Sequence, residues 1–175
     1  MSYRITWHGP EISGAAVIIG IFDGVHRGHQ KLIERARDFN SPIVALTFDP
    51  HPASIVAPES LPTELLQLAE RISLLHSYGV DSVAVIEFTS EFSKLSPIEF
   101  IDSILVTELK ASAIIVGSNF KFGSKASGNA ATLSSDGRFK VSAVDLEKEI
   151  ARLNNLQMAL KILLNSAYGA LGNNY

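Results

Sequence analysis

Apolar runs and segments with a helical period alternate along most of this chain. The first apolar run, 15–22, is rich in β-branched residues and leads into a glycine-rich turn, as a strand buried on both faces of a parallel sheet does. Leu32, Ile33 and Ala36 then fall at helical spacing between charged residues and predict a helix over 30–38. Strand, turn and helix in this order predict the opening of a βαβ unit.

The same alternation repeats farther along the chain. Apolar runs predict further strands at 43–48, 82–88, 113–117 and 139–144. Helical periods predict further helices at 64–78, at 97–109 and in the C-terminal segment from 147 onward. Strands that alternate with helices predict an α/β fold, a Rossmann-like doubly wound parallel sheet with right-handed crossovers, followed by a C-terminal helix.

The loops that follow the strands are the predicted site, because ligands bind such sheets beyond the carboxyl ends of the strands. Three loops qualify, at 22–29, 48–52 and 117–128. The last belongs to a polar, glycine-rich stretch from 118 to 138, and a loop of that length in a compact domain is typical of a functional or a disordered segment.

His26, Gly28 and His29 lie where the first strand gives way to its helix. Backbone N–H groups at a helix start bind anions, and Gly28 allows a phosphate to approach the backbone closely. Two imidazoles beside that site can donate hydrogen bonds to phosphate oxygens and stabilise charge on a reacting phosphorus. This arrangement suggests attack on a nucleotide α-phosphate. The tetrapeptide from His26 to His29 by itself also fits histidines that lie on the surface or cap a helix.

Composition narrows the function classes. The 175 residues carry 15 Lys and Arg against 18 Asp and Glu, a net charge of −3, which disfavours nucleic-acid binding through bulk electrostatics. The lack of cysteine excludes disulfides, thiolate zinc sites and cysteine nucleophiles. There is no apolar signal segment, and every apolar run is far shorter than the ~20 residues of a membrane span, so we expect a cytoplasmic protein without nucleic-acid or membrane partners.

A longer string around the histidines, GIFDGVHRGHQ at 20–30, resembles the first signature of the FMN adenylyltransferase domain of bacterial FAD synthetases. Those enzymes belong to the nucleotidylyltransferase superfamily and share its His-x-Gly-His motif. Three further blocks follow in the family's order, at 47–52, 88–100 and 116–128, so the resemblance covers about residues 2–146. It implies transfer of AMP from ATP to FMN, giving FAD and pyrophosphate, with Mg²⁺ bridging the phosphates.

The resemblance also implies roles for individual residues. His26 and His29 would be catalytic, contacting the ATP phosphates and stabilising the transition state. The ATP pocket would consist of Gly20, Ile21, Phe22, Asp23, Gly24, His26, Gly28 and His29. FMN would be held by His51, Pro52, Asn119 and Phe122. Packing in the core beneath its loop explains Phe122 almost as well, and the family usually has Asn at the position of Ile21; no metal ligand is assigned.

The C-terminal segment departs from the family. There the family has a Ser-Ser-Thr-x-Ile-Arg motif, which holds the ATP phosphates, and a riboflavin kinase domain, and neither follows residue 146 in this sequence. Residues 161–169 (KILLNSAYG) instead resemble the nucleotide-binding fingers motif of family B DNA polymerases. We therefore predict a domain over 1–146 and a helical tail of foreign origin over 147–175.

Two alternatives to the enzyme follow from the missing phosphate motif. One is a nucleotide- or flavin-binding module without turnover, and the other is a non-functional fusion. An amphipathic helix that belongs to the fold is the second interpretation of the tail. A foreign helix should pack only loosely on the domain, since close packing requires matched shapes.

Overall fold

The computed structural model describes residues 3–171, with side chains for residues 3–164. Its strands are β1 (Ile5–His8), β2 (Ala16–Ile19), β3 (Ile43–Asp49), β4 (Ser82–Glu87), β5 (Ala113–Gly117), β6 (Lys121–Phe122), β7 (Gly128–Asn129) and β8 (Lys140–Val144). Six of them form one sheet in the order β1-β4-β3-β2-β5-β8, and β6 pairs with β7 in a separate hairpin. Within the sheet only the edge strand β1 is antiparallel to its neighbour.

Helices connect and follow these strands, mostly in the predicted positions. They are α1 (Arg27–Arg37), α2 (Pro52–Val56), α3 (Leu68–Ser77), α4 (Pro97–Phe100) with its π-helical continuation (Ile101–Glu108), α5 (Ala130–Asp136) and α6 (Leu146–Leu171). Ser96 caps α4, accepting a hydrogen bond from the N–H of Glu99 while the Glu99 carboxylate accepts one from the N–H of Ser96.

Two separate cores cover the two faces of the sheet, because successive strand residues point to opposite sides. Ala16 and Ile18 belong to the core beneath α1 and α3, which we call the α1/α3 core. Val17 and Ile19 belong to the core beneath the π-helical segment and α5, which we call the α4/α5 core. Helices on both faces confirm the doubly wound α/β prediction.

The order of the parallel strands reverses beside β2. Ala16 pairs with Ile43 of β3 on one side and with Ala113 of β5 on the other, while β3 continues to β4 and β5 to β8. A crevice opens at the carboxyl ends of the strands where such a sheet changes direction. The loop from β2 to α1, which ends at His26, and the first turn of α1, which holds His29, lie at this crevice.

The differences from the sequence prediction are local. β2 has four residues where an eight-residue apolar run suggested more, because the chain leaves the sheet at Gly20. β1, α2, α5 and the β6–β7 hairpin were not predicted, since each is short and only partly buried and so carries no long apolar run. No helix within the described residues is long and apolar enough to cross a membrane.

Among the described side chains of helix α6, those at its beginning pack on the domain. Leu146 joins the α1/α3 core, and the Glu149 carboxylate lies 3.5 Å from the Lys31 ammonium of α1. From 154 to 164 every side chain is exposed, including Leu156, Met158, Leu160, Ile162, Leu163 and Leu164. The polymerase-like motif at 161–169 extends beyond the described side chains.

Candidate active site

We call residues 20–29 the histidine turn, because this segment joins β2 to α1 and ends with the two histidines. Phe22 has a left-handed backbone with φ 59°, which is uncommon for a bulky residue, and its ring is fully buried. That ring packs beneath Gly20 and meets the His29 ring edge-on, with centroids 5.0 Å apart. Backbone strain of this kind occurs at functional sites where the surrounding structure enforces it.

His26 is the N-cap of α1. Its Nδ1 accepts a hydrogen bond from the Gly28 N–H at 3.1 Å, so in the neutral ring Nε2 carries the hydrogen and is free to donate. A Cβ on Gly28 would lie 2.9 Å from Cε1 of His26. A residue without a Cβ is therefore required at position 28 for His26 to fold over the start of α1. The sequence predicted a different reason for this glycine, the close approach of an anion to the backbone.

His29 lies against His26 in a stacked pair, with ring centroids 3.7 Å apart and planes 22° apart. Its Nδ1 is buried without a hydrogen-bond partner. Burial, followed by the neighbouring His26, lowers the pKa of His29 from 6.5 to about 3. His29 is thus neutral near pH 7 and can donate a hydrogen bond.

Asp23 anchors the turn to the segment before α3. Its two carboxylate oxygens accept hydrogen bonds from the N–H groups of Leu65 at 2.8 Å and Leu66 at 2.9 Å. Desolvation acts to raise the pKa of Asp23, but these two hydrogen bonds and the charges of Arg71 and His51 lower it below its ordinary value. Asp23 therefore shapes the turn as an ionised carboxylate.

Arg71 is a site residue that the sequence analysis missed. It lies on α3, is only 2% exposed, and donates from Nη1 to the carbonyl oxygen of Ile21 at 2.8 Å. The sequence does indicate that Arg71 is buried, because position 71 falls on the same helix face as the apolar residues Leu68, Ile72 and Leu75. The side chain of Ile21, where the family usually has Asn, packs against the α4/α5 core.

A cavity of about 370 Å³, which we call the aromatic cavity, opens beside the carboxyl ends of β3 and β4. Its walls include Phe48, Phe88, Phe92, Phe100, Phe120 and Phe122. Phe120 and Phe122 stack with ring centroids 5.6 Å apart and planes 15° apart. A Cβ on Gly128 would lie 2.8 Å from the Phe122 ring, so this glycine lets the hairpin close over the ring.

The four predicted flavin residues are not all in one place. Pro52 and Phe122 line the aromatic cavity. His51 caps α2 through Nδ1, which accepts a hydrogen bond from the N–H of Ala53 at 3.0 Å. Asn119 is exposed and lines a smaller cavity of about 180 Å³ together with Leu146.

Comparison with known proteins identifies the family. A profile of the FAD synthetase family matches residues 9–154. The chain belongs to the FAD synthetase family. The match continues beyond residue 146, where we predicted the domain to end.

Curated relatives in the FAD synthetase family are named bifunctional riboflavin kinase/FMN adenylyltransferase. One from Buchnera aphidicola subsp. Schizaphis graminum is 33% identical over 172 residues, covering 86% of this chain and 55% of the relative. One from Escherichia coli K12 is 36% identical over 120 residues, covering 66% of this chain and 38% of the relative. One from Listeria monocytogenes is 36% identical over 134 residues, covering 73% and 42%. The chain thus spans about half the length of these relatives or less.

A solved structure shares the fold. The crystal structure described as a macrolide-efflux protein from Streptococcus pneumoniae superposes with a TM-score of 0.67 at 29% identity, covering 76% of this chain and 46% of that one. The predicted resemblance of residues 147–175 to family B DNA polymerases receives no support from these comparisons.

Proposed function

We propose that this chain transfers the adenylyl group of ATP to the phosphate of FMN, giving FAD and pyrophosphate. The observation that carries this proposal is a histidine-bearing helix start beside an aromatic cavity, both at the carboxyl edge of one sheet. A helix N-terminus suits a polyphosphate, and an aromatic cavity suits a flat isoalloxazine ring. The activity in the names of the curated relatives supports the same assignment.

In the proposed reaction His26 and His29 are catalytic. An oxygen of the FMN phosphate attacks the α-phosphorus of ATP, and the bond from that phosphorus to the pyrophosphate oxygen breaks. Negative charge grows on the α-phosphate oxygens, where preorganised donors lower the barrier. The N–H groups at the start of α1 other than that of Gly28, the Nε2 of His26 and the neutral ring of His29 are the donors available at this place.

The remaining residues of the proposed ATP pocket shape the backbone that meets the nucleotide. They are Gly20, Ile21, Phe22, Asp23, Gly24 and Gly28. Phe22 supports the turn from within the core, and Asp23 does so through the N–H groups of Leu65 and Leu66. We assign these two residues to the form of the pocket rather than to contacts with ATP.

We assign the isoalloxazine ring of FMN to the aromatic cavity, with Pro52 and Phe122 among its walls. Lys121 and Lys125 line the same cavity and supply positive charge for the FMN phosphate. We keep His51 and Asn119 as proposed contacts near the FMN phosphate. The charge of His51 helps to lower the pKa of Asp23 in the histidine turn. Asn119 lines a small cavity together with Leu146.

Mg²⁺ enters this proposal with the nucleotide. Among the described residues no group of three or more His, Asp or Glu side chains is arranged to hold a metal ion. The proposal places Mg²⁺ on the ATP phosphates, as part of the substrate, where it would neutralise phosphate charge.

Chromatographic measurement of FAD formed from FMN and MgATP tests the proposal. The expected result is FAD and pyrophosphate in equal amounts, with no adenylylated product when riboflavin, which lacks the phosphate nucleophile, replaces FMN. Binding of both ligands without FAD formation would contradict the proposal and support a binding module without turnover. Binding of neither would support the non-functional fusion.

A further inference from the structure

Arg71 is a buried cation that forms no ion pair with a carboxylate in the described part of the chain. No Asp or Glu oxygen among the described residues lies within 4.0 Å of its guanidinium, although the side chain is only 2% exposed. Its Nε is buried with no hydrogen-bond partner, and its Nη1 donates to the carbonyl oxygen of Ile21. Burying a charge without an ion-pair partner is costly. An apolar residue could fill this position on the helix face, so stability alone does not explain the arginine.

The carbonyl that Arg71 binds belongs to the histidine turn. The hydroxyl of Thr47, on β3, donates to the same Ile21 oxygen at 3.2 Å, so two side chains from different elements fix one peptide group. The next residue is Phe22, whose left-handed backbone the chain does not adopt readily. The two donors therefore fix the turn directly before its strained residue.

The other end of the turn is anchored from the same side of the molecule. Asp23 accepts hydrogen bonds from Leu65 and Leu66, which lie just before α3, the helix that carries Arg71. The charge of Arg71 acts on Asp23 and favours its ionised form, which accepts these bonds more strongly. Helix α3 thus stabilises the turn through the Ile21 carbonyl oxygen, and the segment just before α3 does so through the Asp23 carboxylate.

We propose that Arg71 is a positioning residue, which with Thr47 fixes the Ile21 carbonyl and thereby orients the histidine turn toward the nucleotide phosphates. The proposal rests on the proposed adenylyl transfer for the identity of the nucleotide. It does not require Arg71 to contact the substrate, because its effect passes through the backbone of the turn.

Three variants test this role. Arg71→Met removes the charge and the donors at similar length, Arg71→Lys keeps a cation with fewer donors, and Thr47→Val removes the second donor at nearly unchanged size. In calorimetric titrations we expect Arg71→Met to weaken ATP binding about tenfold to a hundredfold, the loss that matches one charge-assisted hydrogen bond, while FMN affinity stays unchanged. Arg71→Lys should recover part of the ATP affinity, and Thr47→Val should weaken ATP about threefold.

A merely structural role would give a different pattern. Equal losses of ATP and FMN affinity in variants that are folded by circular dichroism would overturn the proposal, as would unchanged ATP affinity. If Arg71→Met does not fold, Arg71→Lys and Thr47→Val decide, and unchanged ATP affinity in both contradicts the role.

A ligand-free measurement separates this proposal from the proposed function. Amide hydrogen exchange across 20–25 should be faster in Arg71→Met than in the wild-type chain, with recovery in Arg71→Lys. Faster exchange in a chain that forms no FAD would contradict the proposed function and support the positioning role. Unchanged exchange in this segment would overturn the positioning role whatever the chain catalyses.

Discussion

The histidine turn and the aromatic cavity lie at the same edge of the sheet but rest on opposite cores. Phe22 and Val25 of the turn belong to the α1/α3 core. Phe48, Phe100 and Phe122 of the cavity belong to the α4/α5 core. The sheet separates these two supports, although Ile21 of the turn packs against the α4/α5 core, so most but not all of the supporting contacts differ between the two regions.

The two regions are also built from different interactions. Directed polar contacts define the turn: a capping imidazole, a carboxylate that accepts two backbone N–H groups, and a carbonyl bound by two side chains. Ring packing defines the cavity, which takes six of the chain's nine phenylalanines. Because the two regions are built from different kinds of contact, we expect a substitution in one region to affect one substrate more strongly than the other.

The largest expected effect is that of His29→Ala. We expect FAD formation to slow about 10²–10³-fold, because a donor to the charge of the transition state is lost. FMN affinity should stay unchanged, since the cavity does not use this ring. Steady-state rates and FMN titrations on the same preparation give both results.

His8→Ala is the matched control for that experiment, because His8 lies on the edge strand β1, away from the turn. It should retain the wild-type rate. Undiminished turnover in His29→Ala, or an equal loss in His8→Ala, would contradict the catalytic assignment.

Phe120→Ala should affect the other substrate. Phe120 is partly buried, lines the aromatic cavity and stacks on Phe122. Loss of one aromatic partner is expected to weaken FMN binding about tenfold and to leave ATP affinity unchanged. Phe39→Ala is the control, since Phe39 packs against the α1/α3 core. It should lower stability without a change in FMN affinity, and a loss of ATP affinity in Phe120→Ala would show that the regions are coupled.

The sequence predicted most of the sheet but only part of the site. Long apolar runs such as 43–48 and 113–117 predict buried parallel strands, because a strand that is buried on both faces is apolar and rich in β-branched residues along its whole length. The turn was located by its motif. The role of Arg71 could not be predicted, since its hydrogen-bond partner, the Ile21 carbonyl oxygen, meets it only when the histidine turn and α3 come together in the fold.

The place of Asn119 shows the same limit for a loop. The flavin block of the sequence groups Asn119 with Phe122, three positions apart, yet the two side chains line different cavities. The chain turns between them to begin the β6–β7 hairpin. Close spacing of two residues in a loop therefore predicts that they lie near each other, but not that their side chains line the same cavity.

The pH dependence of stability tests the burial of the turn. The pKa of His29 is about 3 in the folded chain against 6.5 for an unperturbed histidine, so its contribution to stability is complete above pH 6.5 and falls as pH decreases toward 3. Melting temperatures between pH 6.5 and 4.5 should fall more steeply in the wild-type chain than in His29→Gln. Parallel curves would mean that His29 is accessible to protons in the folded state.

The smallest effect is expected from removing residues 155–175. The described side chains of this segment are exposed, and none makes a hydrogen bond or ion pair within the described part of the chain. The free energy of unfolding should change by no more than about 0.5 kcal/mol, with both ligand affinities retained. Leu146→Ala is the contrasting variant, because Leu146 packs against the α1/α3 core, and it should lower the melting temperature. A truncated chain that unfolds would show that the segment belongs to the fold.

Hydrogen exchange with each substrate separately tests most directly whether the two regions bind different substrates. ATP should slow exchange in the segment 20–30, at the histidine turn and the start of α1. FMN should slow exchange in 48–56 and 117–126, around the aromatic cavity. Protection of the same segments by both ligands, or protection of the cavity by ATP and of the turn by FMN, would contradict the division of the site between two cores.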